Sequence, residues 1–97
     1  MPVYAIAQGR IVNRQQFDLY VAAAIPTLQA HRVRLVALDE TPAVIEGAIE
    51  YPRTVILEFE SERAFHDWYD SPEYTAARQL RRHASLGTFI LVNGNGA

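Results

Sequence analysis

The chain contains no cysteine and no lysine. Without cysteine there is no disulfide, no thiolate nucleophile, no iron–sulfur cluster and no cysteine-bound zinc. Packing must hold the fold together, which suits a reducing, cytoplasmic setting. Without lysine, Schiff-base catalysis and a lysine general base are excluded. All nine cations are arginines, spread along a chain of net charge −2 with no basic block, so the concentrated footprint of a nucleic-acid partner is missing. No apolar run reaches the roughly 18 residues of a bilayer span. Met1-Pro2-Val3-Tyr4 enters a strand pattern without the charged and apolar stretches of a secretion signal. The three histidines, His31, His66 and His83, lack metal-ligand spacing. No metal, cofactor, nucleic acid or membrane is therefore expected as a partner.

What is present reads as one globular domain. The 97 residues are 49% hydrophobic and 21% charged, an ordinary folded balance. Val3 to Ile11 is β-rich and predicts a first strand. Asn13 and Gln16 form a capping-box pattern, and Phe17, Tyr20, Val21, Ala24 and Leu28 follow at helical spacing. Pro26 is expected to interrupt or kink that helix. Val33 to Leu38 and Ala43 to Ile49 read as two strands joined by Asp39-Glu40-Thr41-Pro42, or as one long strand bent at the proline.

Thr54 to Glu60 alternates as a central strand does. Ser61 caps a short helix bearing Ala64, Phe65, Trp68 and Tyr69. Ser71 as N-cap, Pro72 and Glu73 then restart a helix expected to reach about Ala84. Leu86 to Val92 is the last strand, and residues 93–97 form a Gly/Asn tail expected to fray. This order gives an α+β class, the βαββαβ plan of ferredoxin-like folds.

Helices cover one face of such a sheet, yet the strands are apolar on both. Val55, Leu57 and Phe59 alternate with Ile56, and Phe89 and Leu91 alternate with Ile90 and Val92. Soluble monomers rarely leave a large apolar face wet, so a homodimer packed sheet to sheet is expected. A monomer with a few exposed aliphatics is the alternative.

The block Trp68-Tyr69-Asp70-Ser71-Pro72-Glu73-Tyr74, followed by Leu80-Arg81, resembles the signature of the DUF1330 family. Tyr4-Ala5-Ile6-Ala7, Ile45-Glu46-Gly47 and Val55-Ile56-Leu57-Glu58-Phe59 match it in the same order, so the likeness covers nearly the whole chain. One departure is Arg32-Val33, where many members carry a glycine pair. The resemblance implies a small dimeric α/β barrel. It also implies a superfamily that includes cofactor-free monooxygenases, muconolactone-type isomerases, haem-degrading enzymes and ligand-sensing domains, which is a menu rather than an activity.

Among polar residues Arg81 stands out. It lies two helical turns beyond Tyr74, on a face whose other members, Ala77 and Ala84, are apolar. An inward guanidinium needs an anion and grips carboxylates bidentately. Glu58 is the internal candidate, giving a structural ion pair, and a ligand is the other. Glu58 is also a candidate general base, and Glu46 a second carboxylate for the same cavity. His31, at the end of the first helix, either complements the helix dipole or transfers protons. Tyr69 and Tyr74 offer hydroxyl donors and Trp68 a flat wall for an aromatic ligand, or all three are core.

Two functions follow. One is a cofactor-free enzyme acting by proton transfer or O₂ chemistry on a small oxygenated or aromatic molecule, with His31 and Glu58 catalytic. The other is a non-catalytic module that binds a small organic ligand through Arg81 and the tyrosines.

Overall fold

Alternation along the first strand sets the inside and the outside of the molecule. The computed structural model describes residues 1–96. In β1 (Val3–Ile11), Val3 and Ala5 are buried beneath helices, while Tyr4 and Ile6 turn the other way. β1 pairs antiparallel with β3 (Arg53–Phe59) on one side and β4 (Ser85–Asn93) on the other. β2 (Arg34–Asp39) pairs with β3 at the edge, giving the order β2-β3-β1-β4. Helix α1 (Arg14–Ala30) follows β1, and α2 (Glu62–Tyr69) and α3 (Pro72–Arg81) follow β3. This is the α+β ferredoxin-like arrangement. At 16 Å, the shortest dimension matches one sheet carrying one helical layer.

Each helix starts where a side chain satisfies an otherwise orphaned amide. Asn13 accepts from the Gln16 N–H at 3.0 Å, Ser61 from Ala64 at 3.0 Å and Ser71 from Tyr74 at 3.2 Å. Helix α1 runs unbroken through Pro26 to Ala30, giving up only the hydrogen bond that a proline cannot donate. Beyond it Arg32 adopts a left-handed φ of 56° while the Val33 N–H reaches back to the Leu28 carbonyl at 3.0 Å. That reversal suits glycine best. Here an arginine takes the strain.

Besides the break expected at Pro26, which does not occur, three expectations need correction. Residues 43–49 form no strand, because β2 pairs directly with β3 and the intervening segment is bracketed by Pro42 and Pro52 with Gly47 at φ 82°. Its aliphatics stay at the surface, Ile45 being 87% exposed. Helix α3 ends at Arg81 rather than Ala84. The Ala84 carbonyl is taken by the N–H groups of Val12 and Asn13 at 2.8 and 3.1 Å, which anchors the turn into β4. The tail is pinned further than expected: Asn93 belongs to β4, and the Gly94 N–H donates to the Pro2 carbonyl at 2.9 Å. Ala97 lies outside the described residues.

The core joins Val3, Ala5, Leu57 and Phe59 of the sheet to Phe65, Trp68, Tyr74 and Ala77 of the helices. Trp68 and Tyr74 pack with ring centroids 4.0 Å apart at a 34° tilt, and the Trp68 ring centre lies 5.5 Å from that of Phe59. Outside, Ile56, Ile6 and Ile90 lie side by side across three strands, with no helix over them. Among the described residues, no helix is long and apolar enough to cross a membrane.

Candidate functional site

Between α1 and the inner face of the sheet lies a cavity of about 380 Å³. Strand periodicity supplies its floor, Ala7, Val55, Leu57 and Phe89, all one side-chain position removed from the outer isoleucines. The helical stripe of α1 supplies the roof with Phe17, Tyr20, Val21, Ala24 and Leu28. A bulge at Val36 matters for the wall. It shifts the register so that Leu35 opposes Leu57 and Leu38 opposes Val55, which brings both leucines onto the cavity side. Gly9 and Gly87 face each other at one end and leave bare backbone there. A Cβ on Gly87 would fall 2.1 Å from the Gln8 carbonyl oxygen, so no larger residue fits.

Polar groups gather at the helical end. Tyr74 is fully buried, and its hydroxyl lies 2.7 Å from that of Tyr20. Arg81 donates to the Tyr74 oxygen at a long 3.5 Å, and its guanidinium stands 5.4 Å from the centre of the Tyr20 ring. Burial raises the Tyr74 pKa well above the usual phenol range, and the neighbouring Tyr20 adds to the shift. Tyr74 is thus a neutral hydroxyl at any ordinary pH. Trp68 also lines the cavity, held by a 3.0 Å hydrogen bond from its Nε1 to the Thr27 hydroxyl, which itself donates to the Ala24 carbonyl at 2.7 Å. Arg53 enters from the floor, 4.8 Å from the Phe17 ring centre and paired with Glu40 at 3.2 Å. Glu40 is held below the usual carboxylate range by Arg14, 2.8 Å away, and by Arg53.

Of the residues singled out from the sequence, Arg81, Tyr74 and Trp68 meet at this cavity. Tyr69 does not reach it. Its ring stacks on Phe65 at 17° with Arg78 4.4 Å above the centroid. The expected Arg81–Glu58 pair does not form. Glu58 shares the outer face with Ile56 and bonds Arg34 at 3.1 Å, so the sheet lies between it and Arg81. His31 is the exposed C-cap residue of α1, and Glu46 sits in the exposed segment after β2. Neither lines the cavity, whose wall contains no histidine, aspartate or glutamate among the described residues. Tyr20 and Arg53 were not singled out. Tyr20 belonged to the recognised helical stripe, and Arg53 precedes Val55, Leu57 and Phe59 at strand spacing.

The family model described as "Domain of unknown function (DUF1330)" matches residues 2–95. No curated protein matches the chain. Among solved structures it is similar to a protein of unknown function from Rhodopseudomonas palustris (TM-score 0.82, 15% identity, 99% of this chain and 84% of that one). It is similar also to SnoaB, a cofactor-independent oxygenase from Streptomyces nogalater (TM-score 0.65, 12% identity, 99% and 95% covered). A third is a dimeric protein of unknown function and ferredoxin-like fold from Bacteroides fragilis (TM-score 0.61, 13% identity, 96% of each chain). At such identities the likeness speaks for the fold.

Proposed function

We propose that this chain, which belongs to the DUF1330 family, binds a small aromatic acid or phenol in the cavity between α1 and the sheet. One observation carries the reading. Arg81 is a permanent cation, partly buried against aromatic rings, with no carboxylate partner among the described residues. An anion brought from outside completes such a group. The cavity volume falls in the range of roughly 300–1,000 Å³ typical of small-molecule sites. The Tyr20 hydroxyl stands ready as a second donor, and Trp68 and Tyr20 offer flat surfaces to a ring. Binding needs no base, and the cavity wall provides none. A catalytic role for His31 or Glu58 has no support from this geometry. The test is a melting-temperature screen against aromatic carboxylates and phenols. A true ligand at a hundred times its Kd adds about 2.7 kcal/mol of stability, and a screen without a single shift would refute the reading.

A second reading rests on the fold shared with the cofactor-independent oxygenase. An extended, hydroquinone-like phenol that ionises in solution enters as its anion, its proton already lost to water, and is electron-rich enough to pass electrons to O₂, so Arg81 and the cavity would contribute positioning and electrostatics. Oxygen consumption on adding an ionisable phenol distinguishes this from binding alone.

The same proposal extends to assembly. The row Ile56-Ile6-Ile90 has no cover in the monomer, and packing it on a second copy would bury it and close a dimeric barrel. Sedimentation should give a dimer at micromolar concentration. A stable 10.9 kDa species would exclude it.

A further inference from the structure

Arg81 and Ser85 belong to two spaces at once. Both line the inner cavity, and both line a shallow hollow on the outside that is completed by Arg78, Gln79 and Arg82. The cavity and a basic shelf at the end of α3 therefore adjoin at Arg81 and Ser85. None of the three arginines has a carboxylate within ion-pair distance among the described residues. Arg78 rests over the Tyr69 ring, Arg82 bonds the Gln79 side chain at 3.3 Å, and Arg81 turns to Tyr74.

Cations in the last turn of a helix also complement its dipole. That accounts for their place in the sequence. It does not account for the place of the Arg81 guanidinium in the cavity wall, against the buried Tyr74 hydroxyl and the Tyr20 ring. Nor does it account for a third uncompensated charge at one helix end. A monocarboxylate bound in the cavity would satisfy Arg81 and leave Arg78 and Arg82 unused.

We propose that the ligand has two parts: an aromatic head that enters the cavity, and a tethered phosphate that lies on the Arg78–Arg81–Arg82 shelf. This deepens the reading of the cavity as a site for aromatic anions and rests on it. A dianionic phosphate has the oxygen acceptors to engage several guanidiniums together. The phosphate could belong to a simple monoester or to a nucleotide-linked thioester, and the shelf chemistry is shared by both.

The experiment compares three probes by titration calorimetry on the intact protein. They are 4-phenylbutyrate, which carries the head with a tethered carboxylate in place of a phosphate, 4-phenylbutyl phosphate, and benzoyl coenzyme A. The wild type should bind at least one phosphate probe about tenfold or more tighter than 4-phenylbutyrate. Which probe gains identifies the source of the phosphate. The double variant Arg78→Gln with Arg82→Gln should lose that gain while still binding 4-phenylbutyrate, because neither residue lines the cavity. Binding of 4-phenylbutyrate with no gain for either phosphate, or a gain that survives in the double variant, overturns the shelf and leaves the cavity reading standing. Silence from all three probes removes both.

Discussion

The hydroxyls of Tyr20 and Tyr74 lie 2.7 Å apart and join α1 to α3 at the polar end of the cavity. The two partners are not equivalent. Tyr74 is fully buried, whereas Tyr20 is partly exposed. Removing the Tyr20 hydroxyl leaves the buried Tyr74 hydroxyl with only a 3.5 Å contact to Arg81. Tyr20→Phe should therefore cost about 1–3 kcal/mol, and Tyr74→Phe about 1 kcal/mol or less, since Tyr20 can turn to water. Urea denaturation of both variants measures the order. The reverse order would contradict the geometry.

Tyr74 also governs behaviour in alkali. Burial holds its proton well above the usual range, while in the unfolded chain it ionises near pH 10. Above about pH 10 the native state then binds the extra proton, and stability falls by up to about 1.4 kcal/mol per pH unit. Below that pH the contribution is complete and flat. Tyr74→Phe should remove one proton's worth of this slope, and unfolding curves between neutral pH and pH 11 would reveal a variant that keeps it.

Ser71 does two jobs at the α2–α3 junction. Its hydroxyl accepts from the Tyr74 N–H at 3.2 Å and donates to the Trp68 carbonyl at 2.8 Å, in a buried setting. Ser71→Ala should cost about 1–2 kcal/mol. Because the junction carries both Trp68 and Tyr74, the near-ultraviolet circular dichroism should change as well. A denaturation midpoint equal to that of the wild type would remove the cap from the account.

Arg81 and Glu58 are separated by the sheet, and Glu58 is satisfied by Arg34 at 3.1 Å. The variants Arg81→Met and Glu58→Gln should then be independent. Their effects on stability should add to within about 0.5 kcal/mol in a double-mutant cycle. A larger coupling energy would mean that the two groups meet.

The strand pattern already contained the answer for Glu58. Val55, Leu57 and Phe59 face inward, so Glu58 must share the outer face with Ile56, and Arg53 must share the inner one. An Arg81–Glu58 pair would run against that alternation. The caps at Asn13, Ser61 and Ser71 were legible because one side chain and one nearby amide decide each. The ferredoxin-like order was legible from the succession of periodicities.

The bulge at Val36 was not legible, since it depends on register against β3 rather than on any local residue preference. Likewise the stop of α3 at Arg81 depends on the Ala84 carbonyl being claimed from the distant β1–α1 junction. The cavity itself follows from how α1 sits over the sheet, a relation between elements that no single segment encodes.

Trp68 is the sole tryptophan and lines the cavity, so its fluorescence reports directly on occupancy. The most direct test titrates wild-type protein and Arg81→Met with 2-naphthoate while following that emission. The account predicts a saturable change in the wild type and at least about a tenfold weaker response in Arg81→Met, from loss of the charge-assisted contact. A wild type whose emission ignores the acid, or an Arg81→Met protein that binds it equally well, would contradict the claim that this cavity is an anion-seeking aromatic site.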